Sequence, residues 1–347
     1  MSAGDPRRLH YVPKGYLKFF AETGKKHVWC FDKKSKESNH SNVKSILFQW
    51  DYYTIPDGMI LDDLAVIENA KGLDIERFFE SLEREFPKTI RTFIDDAISD
   101  KPVMYLKNQE FIAKYMYFQM VRTKDFERTI RDAIFMLSLS ALDLANRHTI
   151  KGERISKDLM PAIASRIADK KASDPRLRII SMFSKESYKI IFNRFLELNW
   201  TLLICEDNSQ FITSDHPIHN LSGKDGKLHG LGMQDVDIEV FFPLTPMYAL
   251  VLNDPLSRGR NNLREFNIRK IEKKYVDEYN RLQIIRAERF IISKTDIGVH
   301  CSEVIGNRVN APHALLKDWG SGLDGGLVEV NGQYKYLLLP PEDLGGE

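Results

Sequence analysis

The periodicity of apolar residues changes near Trp200, and this change constrains the fold more than any other feature. Between Leu61 and about Asn199, apolar residues recur every three or four positions, which is typical of amphipathic helices. The clearest row consists of Ile75, Phe78, Phe79, Leu82 and Phe86. Beyond Trp200, short apolar runs are separated by turn residues, which indicates strands. We therefore predict an α+β fold.

The order of these patterns predicts one α+β domain over residues 1–347. An N-terminal β and loop segment (1–60) precedes the helical block (61–199), and a β-rich portion (200–347) follows it. We expect one long helix within that portion, at 265–289, because charged residues recur there at i,i+4 spacing. The helical block is expected to pack on a mainly antiparallel sheet, which the N-terminal strand and the C-terminal third would build.

The composition excludes several classes of protein. The chain is 43% hydrophobic and 29% charged, as globular proteins are, and its net charge of +1 means that any nucleic-acid contact must depend on a local basic patch. Its three scattered cysteines favour a reducing cytoplasm over a disulfide framework. The N-terminus lacks the apolar core of a signal peptide, and no run of about 18 apolar residues is present to span a membrane. We therefore expect a cytoplasmic protein without membrane contact.

The densest polar chemistry lies between Trp200 and Pro217. We predict a β-hairpin with its turn at 206–209, whose second strand ends in a polar corner at Ser214 and Asp215. Ligands often meet an acidic residue at the end of a strand, so Asp215 is a candidate site residue. The alternative is that Ser214 and Asp215 cap neighbouring backbone N–H groups.

A second polar group ends an aromatic-rich helix. Gln119 and Arg122 are three residues apart and share a helix face, where an amide and a guanidinium could bind a phosphate or a carboxylate. Thr123 follows as a cap before the next helix. The alternative is that Arg122 pairs with Asp215 or Glu83 and locks helix to sheet, because an unpaired buried charge is costly.

Several motifs in this order resemble a bacterial family catalogued as a domain of unknown function, number 4238. The motifs are HxVPKxYLxxF from His10, FQxxRT from Phe118 and FITSDxP from Phe211, and the resemblance covers about residues 9–293. It implies a shared fold but no established reaction. It also implies that polar residues define the pattern, and these are His10, Lys14, Glu83, Gln119, Arg122, Asp215 and Asn280.

Two carboxylates from this set would suit metal-assisted hydrolysis. Glu83 and Asp215, if they meet, could bind Mg²⁺ or Mn²⁺ for the cleavage of phosphodiesters. Lys14 is available beside the attacking water. His10 is the preferred general acid or base, with His216 as the other histidine near the motifs. A metal-free ribonuclease would instead combine the histidine with Arg122 or Lys14 on the phosphate.

Three classes of function remain open at this point. The preferred one is a metal-dependent phosphodiesterase or nuclease on nucleic acid, acting as a prokaryotic defence or toxin effector. The catalytic residues would be Asp215, Glu83, His10 and Lys14, and the substrate-binding residues Gln119, Arg122, Thr123, Ser214 and Asn280. The second class acts on a nucleotide such as NAD⁺, as a glycohydrolase or ADP-ribosyl transferase. The third is a non-catalytic binding module, whose polar motifs would be internal ties.

Overall fold

The computed structural model contains both the helical block and the strands that the sequence predicts. It describes residues 8–50, 52, 75–99, 103–148, 154–221, 238–254, 265–306, 326–330 and 333–337. The helices are α1 (Lys14–Leu17), α2 (Ile75–Ile98), α3 (Val103–Val121), α4 (Lys124–His148), α5 (Met160–Ala172), α6 (Pro175–Phe183), α7 (Lys185–Glu197), α8 (Lys273–Arg286) and α9 (Gly298–Gly306), and a 3₁₀ turn (Lys18–Phe20) follows α1.

The strands of the described residues form three sheets, which are mostly antiparallel. They are β1 (Arg8–His10), β2 (His27–Asp32), β3 (Glu37–Asn42), β4 (Phe48–Trp50), β5 (Asn199–Cys205), β6 (Thr213–Ser214), β7 (His219–Leu221), β8 (Glu239–Pro243), β9 (Tyr248–Asn253), β10 (Glu265–Ile271), β11 (Phe290–Ser293), β12 (Gly326–Val330) and β13 (Gln333–Leu337). A seven-stranded sheet has the order β13-β12-β10-β5-β9-β8-β7, a four-stranded sheet has the order β3-β2-β11-β6, and β1 pairs with β4. The fold is therefore α+β, as predicted.

The seven-stranded sheet is the middle layer of the structure. Trp200 and Leu202 of β5 belong to the large apolar cluster that includes the helical block. Leu203 and Cys205, on the other face of β5, pack in a second cluster with α8. Successive strand residues point to opposite faces, so a strand that is covered on both sides reads as a continuous apolar run. This explains the uninterrupted apolar character of β5.

The four-stranded sheet is also covered on both faces, by the large apolar cluster on one side and by α8 and α9 on the other. Cys30 and Ile292 join the large cluster, whereas Phe31 and Ile291 pack in a third cluster with α8 and α9. Helix α8 therefore contributes to both smaller clusters and lies where the two larger sheets approach each other. The polar corner at Asp215 comes directly after β6 of this sheet.

The predicted hairpin from Trp200 to Pro217 is wrong. The turn is present, with positive φ of 56° at Asp207 and 57° at Asn208. The chain then leaves the sheet of β5, because the N–H of Phe211 donates to the carbonyl of Pro246 and β6 pairs with β11. Strand β5 pairs with β9 and β10 instead. A neighbouring loop thus takes the backbone hydrogen bonds that a hairpin would use.

The predicted helix at 265–289 is also wrong over its first part. Residues 265–271 form β10, which runs parallel to β5, and α8 begins at Lys273. Charge pairs at i,i+4 spacing support a helix only locally, and pairing beside a buried strand overrides that preference. Phe266 and Ile268 alternate onto the face of the large cluster, as a strand requires.

Three further expectations concern helices and cysteines. The beginning of the helical block at residue 61 lies outside the described residues. No helix in the described ranges is long and apolar enough to cross a membrane. Cys30, Cys205 and Cys301 are free and buried.

Candidate functional site

A proline in α2 creates the place where α1 docks. Pro87 has no N–H, so it cannot donate the usual helical hydrogen bond to the carbonyl of Glu83 four residues earlier. Gly15 of α1 lies at this point. A Cβ atom on Gly15 would be 3.3 Å from the Glu83 oxygen and 3.3 Å from Pro87 Cγ. The glycine therefore allows the close approach that brings Lys14 near the Glu83 side chain.

The Glu83 carboxylate pairs with the buried Arg122 at the end of α3. Arg122 Nη1 donates to Glu83 Oε1 at 2.9 Å, and Arg122 Nη2 donates to Gln119 Oε1 at 2.8 Å. Gln119 Nε2 in turn donates to the carbonyl of Tyr11 at 3.2 Å. The guanidinium also lies over the Phe79 ring, 5.1 Å from its centroid. This network joins α2, α3 and the segment after β1, which matches the interpretation of Arg122 as a lock.

Glu83 is the member of this network whose side chain is partly exposed to solvent. Its side chain is 20% exposed, whereas that of Arg122 is fully buried. Burial raises the pKa of Glu83, and the charges of Arg122 and Lys14 oppose this rise. Lys14 itself is exposed. A carboxyl with a raised pKa therefore lies beside a buried arginine and within electrostatic reach of a solvent-facing lysine.

His10 lies within electrostatic reach of Lys14 and Arg122. Burial, the charge of Lys14 and, to a smaller extent, the charge of Arg122 lower its pKa from 6.5 to about 4. Its Nε2 atom is buried and has no hydrogen-bond partner among the described residues. The structure thus brings together His10, Lys14, Glu83, Gln119 and Arg122, and we call these five residues the N-terminal polar group.

Asp215 binds a different set of partners, which are backbone N–H groups at the start of β11. Its carboxylate accepts hydrogen bonds from the backbone N–H groups of Glu288, Arg289 and Phe290, at 2.9, 2.7 and 2.8 Å. Burial raises its pKa to about 6, although these three N–H groups favour the charged form. The geometry is that of a cap on the turn before β11, which was the alternative interpretation of this residue.

Ser214 and Asn280 fasten the same strand to α8. Ser214 Oγ lies 2.8 Å from Gln283 Oε1, and Gln283 Nε2 donates to the carbonyl of Pro217 at 2.8 Å. Asn280 Oδ1 accepts from the N–H of Ile212 at 2.9 Å, while its Nδ2 donates to a neighbouring carbonyl at 2.8 Å. Both side chains are buried and use their polar atoms on the fold itself.

These motifs lie in a segment that matches a protein family, described as "Protein of unknown function (DUF4238)", over residues 8–296. The chain belongs to the DUF4238 family. The DUF4238 match includes every candidate residue from His10 to Asn280 and ends before α9. No curated protein and no solved structure matches the chain.

In this DUF4238 chain, Thr123 stands between the two sets of polar residues. It follows Arg122 directly, accepts the N–H of Phe126 at 3.4 Å as a cap, and its Oγ1 lies 3.3 Å from His216 Nδ1. The other ring nitrogen of His216, Nε2, is 3.4 Å from Asp125 Oδ2. Sequence reasoning missed Asp125, because acidic residues in the first turn of a helix are common and carry no special signal.

The two predicted metal ligands of this DUF4238 chain have separate partners. Glu83 pairs with Arg122, and Asp215 caps backbone N–H groups. The described ranges contain no group of three or more His, Cys, Asp or Glu side chains that could hold a metal ion. The Mg²⁺ or Mn²⁺ site therefore stays a prediction. Its predicted protein ligands are the carboxylates of Glu83 and Asp215.

Proposed function

We propose that this protein cleaves phosphodiester bonds in nucleic acid at the N-terminal polar group. The observation that carries the proposal is that Glu83 pairs with the buried Arg122, and that Lys14 lies within electrostatic reach of both Glu83 and His10. A histidine with an unoccupied ring nitrogen, a carboxyl with a raised pKa and an exposed lysine are the groups that proton transfer at a phosphate requires.

Each residue has a definite role in the proposed reaction. His10 is neutral at pH 7, because its pKa is about 4, and its Nε2, buried and without a partner among the described residues, would accept the proton of an attacking hydroxyl or water that reaches it. The attacking oxygen bonds to phosphorus as the bond to the leaving oxygen breaks. Glu83 then gives a proton to that leaving oxygen; burial raises the pKa of Glu83, and the charges of Arg122 and Lys14 oppose this rise. Lys14 neutralises charge on the phosphate, while Gln119 and Arg122 position Glu83.

The test is a cleavage assay with labelled single- and double-stranded RNA and DNA, in EDTA, Mg²⁺ or Mn²⁺. We expect His10→Gln and Glu83→Gln to lower the rate about 10²- to 10⁴-fold, as loss of general acid–base catalysis does. Lys14→Ala should also lower it. Lys18→Ala is the matched control, because Lys18 is also exposed and lies one turn further along. Activity that requires a divalent ion and is lost in Asp215→Asn would support the metal-dependent form of the proposal.

Two results would overturn this proposal. One is the absence of cleavage under every condition, and the other is full activity in His10→Gln and Glu83→Gln. Inclusion of NAD⁺ in the assay tests the nucleotide-directed alternative. That alternative requires Gln119 and Arg122 to bind the phosphates of the nucleotide. Both side chains are buried and hydrogen-bonded to each other, which disfavours the alternative.

A non-catalytic binding module is the second candidate, and a specific observation favours it. Gln119, Arg122, Ser214, Asp215 and Asn280 are all buried and use polar atoms on internal partners. If these residues act only as ties, their substitution lowers the melting temperature and changes no reaction. Melting curves and cleavage rates of variants at these five residues, recorded beside those of the assay variants, separate the two candidates.

A further inference from the structure

The ribbon of β1 and β4 carries an aromatic and basic face, of which the proposed reaction uses only His10. Arg8 pairs with Trp50 and His10 pairs with Phe48 in the antiparallel register. Side chains two residues apart on a strand point to the same side, so these four share one face. We call Arg8, His10, Phe48 and Trp50 the ribbon face.

The side chains of the ribbon face are in contact with one another. The Phe48 ring lies 5.8 Å from the His10 ring and 5.9 Å from that of Trp50, between centroids. The Arg8 guanidinium is 4.9 Å from the centroid of Phe48 and 5.1 Å from that of Trp50. A continuous row of π surfaces and one cation thus leads to the proposed general base.

Exposure increases along this row, away from the proposed reaction centre. Trp50 is 51% exposed and Phe48 is half-buried, whereas His10 is buried. Aromatic pairs across two strands also stabilise a ribbon, and that alone would account for the contact between the rings. It does not account for a half-exposed indole under a guanidinium, because a large apolar side chain gains little stability while it faces water.

The charge of the surrounding segment fits an anionic polymer. Residues 8–50 contain nine lysines and arginines against three acidic residues, although the net charge of the whole chain is +1. Some of these cations are engaged, since Lys33 donates to carbonyls at the end of α8. Lys14 and Lys44 are exposed, and both border His10: Lys14 through its charge and Lys44 through its backbone carbonyl. This is the local basic patch that contact with nucleic acid requires.

We propose that the ribbon face binds the unpaired bases of single-stranded nucleic acid. Phe48 and Trp50 stack on the bases, and Arg8, Lys14 and Lys44 contact the phosphates beside His10. Aromatic rings interleaved with cations are how proteins bind single strands without sequence preference, and bases within a duplex are not free to stack in this way. The inference rests on the proposed function, because it defines the substrate as a single strand that is led to His10.

The test measures binding of the full chain to labelled 12-nucleotide RNA, DNA and matched duplexes by fluorescence anisotropy. EDTA stops a metal-dependent reaction, a short incubation on ice slows a metal-free one, and gel analysis of the same samples monitors the cleavage that remains. We expect Trp50→Ala to raise the Kd for single strands about 5- to 100-fold, as loss of a stacked base does, and Trp50→Phe to retain most of the affinity. Lys44→Ala should weaken binding to all sequences and reduce the salt slope by about 1. Leu137→Ala, at an exposed position on α4, is the control.

The inference is overturned if Trp50→Ala binds as the wild type does, if duplexes bind as tightly as single strands, or if no strand binds. Circular dichroism of the variants excludes a folding defect, which is not expected at an exposed position. Single-strand binding that depends on Trp50 without cleavage would support the inference and overturn the proposed reaction. Cleavage by the wild type together with an unchanged Kd in Trp50→Ala would support the proposed reaction and overturn the inference about the ribbon face. A preference between the RNA and DNA arms identifies which single strand the face selects.

Discussion

At the level of single residues, Arg122 determines how the candidate site is held. Its guanidinium is fully buried, and its charge is balanced by Glu83 across the α2–α3 contact. The Phe79 ring covers one side of it, and Gln119 accepts two of its hydrogen bonds. Such a group is stable inside a protein because its donors are satisfied and its charge is paired.

Removal of this guanidinium should strongly destabilise the protein. We expect Arg122→Leu to lower the free energy of unfolding by about 3–5 kcal/mol, since Glu83 would keep a partly buried charge without its partner. Urea denaturation measures the change. Arg128→Leu is the control, because the side chain of Arg128 is 55% exposed and its ion pairs should be worth at most about 1 kcal/mol. Equal losses in the two variants would contradict this account of Arg122.

His10 should make stability depend on pH in a defined direction. Its pKa in the folded protein is about 4, below the ordinary value of 6.5, so between these values the unfolded chain binds the extra proton. The contribution of His10 is therefore fully present above pH 6.5 and is lost as the pH falls through 6.5 towards 4. We expect the difference in unfolding free energy between wild type and His10→Gln to shrink by about 2–3 kcal/mol from pH 7.5 to 4. Urea curves at both pH values measure it, and parallel stability profiles would show that His10 titrates normally.

At the level of elements, the contact of α1 with α2 positions the N-terminal polar group. Helix α2 continues through Pro87 over 24 residues. The missing N–H of Pro87 and the missing side chain of Gly15 meet at one point, beside the carbonyl of Glu83. A short helix of four residues would not be stable alone, so this contact also keeps α1 in place.

A methyl group at Gly15 should therefore be harmful despite the helix propensity of alanine. The Cβ would lie 3.3 Å from a backbone oxygen and from a proline ring, neither of which moves easily. We expect Gly15→Ala to lower the unfolding free energy by about 1–3 kcal/mol, as overpacking does. The control is Gly306→Ala, where a Cβ would meet no atom of the described residues within 4 Å and where alanine should be neutral or stabilise by up to about 1 kcal/mol. Stabilisation at both positions, measured by urea denaturation, would contradict the close approach.

At the level of the whole molecule, Tyr16 joins the helical block to both larger sheets. Its hydroxyl lies 2.7 Å from Thr213 Oγ1 in β6 and 2.7 Å from the carbonyl of Pro243 in β8. Its ring stacks on Phe242 at 5.5 Å and meets Phe86 of α2 at 6.1 Å. One buried side chain of α1 thus connects elements that are about 200 residues apart.

Removal of the Tyr16 hydroxyl should weaken the connection between the sheets. We expect Tyr16→Phe to lower the unfolding free energy by about 1–3 kcal/mol, because Thr213 and the Pro243 carbonyl would each lose a buried partner. Thermal and urea denaturation measure the loss. Tyr188→Phe is the control, since the hydroxyl of Tyr188 makes no hydrogen bond to any described residue. No difference between the two variants would show that the hydroxyl of Tyr16 does not hold the sheets together.

Local patterns in the sequence account for much of the fold. Alternation and apolar content identify strands such as β5, and three-to-four-residue spacing identifies α2 and α3, because these signals come from neighbours along the chain. The same spacing places Gln119 beside Arg122. The predicted turn at 206–209 is present as well, because its short polar residues tolerate positive φ.

Only the tertiary structure decided which partners these elements and side chains take. The sequence could not choose between β6 and β9 as the partner of β5, or show that residues 265–271 add to β5 as a strand. It also named two partners for Arg122, and folding selected Glu83, 39 residues away, while Asp215 met backbone N–H groups more than 70 residues later. Contacts over such separations depend on how whole layers pack, which local propensity does not encode. The sequence therefore identifies the residue types of the candidate site. Only the folded chain shows that Arg122 pairs with Glu83 and that Lys14 lies within electrostatic reach of it.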